Sequence, residues 1–77
     1  MPTILKIKGY RFFFFSNEHT PKHIHIQKQE KYAKIDLENL KVLNNYKFNS
    51  KEIREILKIT SKNQKEFIKA WDEYFQN

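Results

Sequence analysis

The sequence predicts an α+β fold: an antiparallel sheet of three to four strands in the N-terminal half, covered on one face by two C-terminal helices. Three observations point there. Polar and apolar residues alternate through Leu5–Lys8, His23–Lys28 and Tyr32–Leu37, the period of half-buried strands. From Ile53 onward the apolar residues recur instead every three or four positions. Between the two regimes, Phe48-Asn49-Ser50-Lys51-Glu52-Ile53 reads as a helix start, with Asn49 as N-cap and Glu52 three residues on.

Thr3 to Lys8 is the first expected strand, with Leu5 and Ile7 on one face and Lys6 and Lys8 on the other. Lys8-Gly9, holding the one glycine of the chain, supplies a hairpin turn. Tyr10 to Ser16 carries four consecutive phenylalanines, so both faces are apolar and the strand is expected to be central. Asn17 to Lys22 is a polar loop interrupted by Pro21. His23 to Lys28 and Tyr32 to Leu37 are the third and fourth strands, joined through Gln29-Glu30-Lys31. Glu38 to Lys47 reads as a short strand or turn, with Leu40, Val42 and Leu43 packed on the core.

Ile53, Ile56, Leu57 and Thr60 form one helical stripe, and Phe67, Ile68, Trp71, Tyr74 and Phe75 the next. A straight helix of about 26 residues would run about 39 Å, too long for so small a sheet. A break is therefore expected near Ser61, where Ser61-Lys62-Asn63-Gln64 has the spacing of a second capping box. Trp71 and its aromatic neighbours read as core.

The 77 residues make one domain, 1–77. Aromatics are 16% of the chain, which helps a small core because each buried ring removes a large area from water. With no cysteine, disulfides and thiolate metal ligands are excluded. No apolar run approaches the roughly 20 residues of a membrane span, and the N-terminus lacks a signal-peptide layout. The expectation is a cytoplasmic protein that spans no membrane. Net charge is +6, and residues 1–47 hold nine Lys/Arg against four Asp/Glu. A basic excess on the sheet half favours nucleic acid or an acidic partner, and is equally the composition of a lysine-rich soluble surface.

Strand geometry decides what the histidines can do. His23, His25 and Gln27 share one face, and Ile24 and Ile26 the other. The isoleucines are the natural core face, so the imidazoles are expected on the open face with Lys6, Lys8, Tyr32, Lys34 and Asp36. Parity leaves undecided whether Arg11/Phe13/Phe15 or Tyr10/Phe12/Phe14 join them. Aromatics stack on unpaired bases and lysines neutralise phosphates, so this is the composition of a single-stranded RNA platform. Lys6, Lys8, Lys22, Lys34 and Tyr32 are its candidate nucleic-acid contacts. Two imidazoles about 7 Å apart along a strand have the spacing to act as base and acid on a phosphodiester, the 2′-hydroxyl being the nucleophile. His23 and His25 are the candidate pair, His19 a supporting residue, and Arg11 or Lys22 the group facing the developing charge. No metal or cofactor is assigned. The weaker metal reading would complete His-x-His with His19 or Asp36. A non-enzymatic module that docks protein or RNA on the same face is the alternative.

The run Gly9-Tyr10-Arg11-Phe12-Phe13-Phe14-Phe15-Ser16, the segment His19-x-Pro21-x-His23-Ile-His25-Ile26, the opening Met1-Pro2-Thr3-Ile4, Ala33-Lys34-Ile35-Asp36-Leu37 and the terminal Trp71-x-x-Tyr74-Phe75 together resemble a small bacterial family, domain of unknown function 4160. The resemblance implies the first half of a two-gene module whose second gene encodes another small domain, number 2442 of the same kind. That arrangement is similar to type II toxin–antitoxin pairs, with this family on the toxin side. A cognate small antitoxin-like protein is then the expected partner, and RNA the expected target. The positions matching the motifs are Arg11, His19, Pro21, His23 and His25; the resemblance assigns them no role.

Overall fold

The computed structural model describes residues 3–75; the Met1-Pro2 opening lies outside them. Five antiparallel strands follow one another as a meander: β1 (Thr3–Ile7), β2 (Tyr10–Phe13), β3 (His23–Lys28), β4 (Lys31–Asp36) and β5 (Val42–Tyr46). Helices α1 (Ser50–Lys62) and α2 (Gln64–Tyr74) complete the chain. The fold is α+β with an open sheet, one strand larger than expected.

Local chemistry accounts for the strand connections. Lys8 and Gly9 both take positive φ, 55° and 84°, the backbone that a two-residue hairpin turn needs to match strand twist. Gln29, at φ 58°, turns β3 into β4, and Lys28 faces Lys31 across that turn. Asp36 ends β4: its carboxylate accepts the backbone N–H groups of Glu38 and Asn39. Asp36 pairs across strands with His23 and so lies on the expected face, but as a buried turn residue and not as an exposed platform group.

Parity sorts the two sheet faces. Tyr10, Phe12 and Phe14 join Ile24, Ile26, Ala33, Ile35 and Leu37 in one buried cluster with Ile56, Ile59, Phe67 and Trp71 of the helices. Phe12 stacks on Phe67 at 5.5 Å between centroids, and Phe14 meets Trp71 edge-on at 5.5 Å. Arg11, Phe13 and Phe15 therefore belong to the opposite face. This settles the question that the all-apolar run left open.

The expected start of α1 forms in full. Asn49 accepts the Glu52 N–H at 2.8 Å, and the Glu52 side chain accepts the Asn49 N–H at 3.0 Å. Phe48 and Ile53 both reach the core. The second capping box does not form. Ser61 lies inside α1, and the chain breaks at Asn63, whose side chain makes no N-cap bond and instead donates to the Ile59 carbonyl. α2 is anchored differently, by Gln64 donating to the Leu37 carbonyl at 2.7 Å.

Two further expectations are corrected. Every residue of β5 is exposed, Val42 and Leu43 included, because β5 is the sheet edge and the core cluster stops at β4. Lys8 sits in the hairpin turn, whose backbone takes it off the strand alternation, and pairs with Glu55 of α1 at 3.3 Å.

Candidate functional site

The face of the sheet opposite the helices carries the expected histidines, but it does not expose them. His23 and His25 are each 4% exposed. The segment between β2 and β3 places Glu18 against both rings, and the Glu18 side chain is itself only 8% exposed. Its Oε1 lies 2.9 Å from His23 Nε2, and its Oε2 lies 2.6 Å from His25 Nε2. One carboxylate thus joins two imidazoles whose centroids are 4.9 Å apart.

The opposite edges of the rings are held as firmly. His23 Nδ1 is 2.7 Å from the Pro21 carbonyl oxygen, and His25 Nδ1 is 2.7 Å from the Tyr32 hydroxyl. Stacking fixes the ring planes: His25 lies between Phe13 at 5.4 Å and Tyr32 at 5.8 Å, with Phe15 edge-on at 4.5 Å. His23 lies at the end of the face, where α2 comes within reach, its ring 5.0 Å from Trp71. All four ring nitrogens therefore have partners, and among the described residues no buried side-chain nitrogen or oxygen is left without one.

The electrostatics follow from burial. Burial works against ionisation of Glu18. The Phe15 N–H, His23 and His25 outweigh it, so the carboxyl is held below its usual range. Burial pushes His25 down, with His23 and Lys34 adding to the effect and Glu18 opposing it. Tyr32 is pushed up by burial and then by Glu18. A neutral His25 satisfies its contacts by donating Nε2–H to Glu18 and accepting the Tyr32 O–H. His23 is different. The Pro21 carbonyl can only accept, so Nδ1 carries a hydrogen, and Nε2 then faces an ionised carboxylate oxygen.

The remaining candidates divide into those near this cluster and those elsewhere. Arg11 lies over the Phe13 ring at 4.2 Å and bonds Thr3 Oγ1 and Gln27 Oε1, so it sits one ring away from His25. Lys6 pairs across strands with Arg11, and Lys34 with His25. No carboxylate is paired with Lys6, Arg11 or Lys34 among the described residues. Lys22 is bound to Asp72 of α2 at 2.8 Å, and Lys8 to Glu55. His19 is exposed in the loop and lines a cleft of about 460 Å³ with Glu18, Thr20, Lys22, Trp71, Asp72 and Phe75. The exposed pair of imidazoles straddling a substrate, as the strand spacing suggested, is replaced by a buried pair converging on one carboxylate. Sequence reasoning missed Glu18, the residue that makes a cluster out of two separate histidines.

No curated protein and no solved structure matches the chain. A family described as a domain of unknown function (DUF4160) matches residues 9–72, which include Glu18, His23 and His25. The chain belongs to this family, domain of unknown function 4160.

Proposed function

We propose that this chain is the toxin-like component of a two-gene module, acting on RNA, with the helix-free face of the sheet as its platform and Glu18–His23–His25 as its reactive centre. The observation that carries the reading is the Glu18 carboxylate joined to both imidazoles at 2.9 and 2.6 Å, within an aromatic and cationic surface. Phe15 and Tyr46 are exposed on the chain, Tyr32 is half-buried beside His25, and Arg11, Lys6 and Lys34 supply charge with no carboxylate partner among the described residues. Exposed rings stack on unpaired bases, and cations hold the backbone that links them. The cleft beside Glu18 is the route by which a phosphodiester would approach the cluster.

A second reading is favoured by the near-complete burial of both rings. In that reading the cluster pins the β2–β3 loop, and the face binds RNA or a partner protein without chemistry. Expression in cells separates the two. The wild type is expected to slow growth, a co-expressed adjacent gene to relieve it, and Glu18→Gln, His23→Ala and His25→Ala to grow normally while remaining folded. A wild type as harmless as its variants, or variants as harmful as the wild type, overturns the reactive-centre reading. RNA or partner binding that survives Glu18→Gln and disappears with Phe15→Ala would establish the binding module instead.

A further inference from the structure

The cluster has the composition of a metal centre. Glu18, His23 and His25 each offer a ligand atom, and these atoms all lie within 4.8 Å of one another. Two imidazoles and one carboxylate leave coordination positions open, the pattern of reactive rather than purely structural metal sites.

The outer contacts matter more than the count. A metal-bound histidine almost always donates its other ring N–H to a carbonyl, carboxylate or hydroxyl, which turns the ligating lone pair toward the ion. Both histidines have such a partner at 2.7 Å: the Pro21 carbonyl for His23 Nδ1 and the Tyr32 hydroxyl for His25 Nδ1. The carbonyl can only accept, and the phenol oxygen can accept as readily as donate. Metal binding takes the tautomer with hydrogen on both Nδ1 atoms, which for His25 reverses the metal-free arrangement, and both Nε2 lone pairs then converge on the Glu18 carboxylate. Three electron-rich groups facing one another in a buried space are stabilised by a cation among them. The cleft that borders Glu18 gives an ion a way in.

We propose that Glu18, His23 and His25 bind one divalent transition-metal ion of the zinc class, with both histidines ligating through Nε2 and Glu18 through its carboxylate. Two nitrogens and a single carboxylate disfavour calcium and magnesium, which take mostly oxygen. The proposal concerns the side chains of the reactive centre but stands without the RNA reading, because metal uptake is measured with no substrate present.

The test uses the untagged full chain, stripped with a chelator and titrated with Zn²⁺, and separately with Co²⁺ as a coloured substitute. The expected result is saturation at one ion per chain, visible Co²⁺ absorption bands with low-symmetry intensity, and a higher melting temperature with metal. Glu18→Gln loses the saturable site, and Ser61→Ala, an exposed position inside α1 and outside the cluster, keeps it. Tyr32→Phe, which removes only the hydroxyl behind His25, weakens uptake by about 10- to 100-fold. A wild type that takes up no stoichiometric Zn²⁺, that takes up Mg²⁺ equally well, or that binds no more tightly than Glu18→Gln overturns the proposal. The wild-type titration and spectrum decide the matter even where a variant fails to fold.

Discussion

Glu18 and His25, seven residues apart in the chain, meet through Oε2 and Nε2 at 2.6 Å on the face of the sheet away from the helices. The contact folds the β2–β3 loop back onto the strand that follows it. It couples loop geometry to the histidine pair, so the loop and the site stand or fall together.

Removing that carboxylate leaves two buried imidazoles without their shared partner. Glu18→Ala is expected to destabilise the domain by about 3 kcal/mol, the scale of breaking one side of a buried ionic contact. Glu18→Gln, which keeps the volume and one acceptor oxygen but turns the other into an NH2 donor, costs less. Urea denaturation of the two variants beside the wild type measures the order.

Two phenylalanines of the same run separate folding from surface function. Phe12 is fully buried against Phe67, and Phe15 is 40% exposed. Phe12→Ala should cost about 3–5 kcal/mol, a large share of what a small domain has. Phe15→Ala should cost less than about 1 kcal/mol and yet weaken RNA retention, since an exposed ring is available for stacking. Equal losses of stability in the two variants would contradict the assignment of faces.

The helix start gives a cleaner local test. Asn49→Ala breaks a complete capping box and should cost about 1 kcal/mol. Ser61→Ala, at the box that does not form, should stay within about 0.5 kcal/mol. Thermal melts of both variants distinguish them.

Tyr10 predicts the alkaline limit of the fold. Burial, followed by the hydrogen bond it donates to Glu55, pushes its phenol up to about 12. The folded state holds this proton more tightly than the unfolded chain, whose tyrosines ionise near pH 10. The stability Tyr10 contributes is therefore fully present below about pH 10 and is lost as pH rises toward about 12. Tyrosinate absorbance followed together with circular dichroism should show Tyr10 and Tyr32 ionising later than ordinary tyrosines, Tyr10 along with unfolding. Tyr10→Phe reduces the late absorbance change and leaves the contribution of Tyr32.

The legible parts of the fold and site were those with a period. Ile24 and Ile26 stand in the core and the histidines on the other face, as alternation requires. The Phe12–Phe15 run held no such contrast, so its parity waited on the register with β1 and β3. There, Arg11 opposite Lys6 and Phe12 opposite Leu5 decide it. β5 was obscured because its Asn44 and Asn45 break any apolar pattern, and its residues bury almost nothing. The burial of the histidines was not legible, because it comes from a polar loop returning through Glu18, and loop conformation leaves no periodic trace. The one available signal was spacing: a carboxylate five and seven residues before two histidines on the same strand face.

The most direct measurement is RNA cleavage by the purified full chain, wild type against Glu18→Gln, with and without added Zn²⁺. The account predicts that the wild type shortens RNA in at least one of the two conditions and that folded Glu18→Gln does so in neither. Intact RNA with the wild type in both conditions, or equal cleavage by the variant, would contradict the claim that the buried Glu18–His23–His25 cluster is a reactive centre.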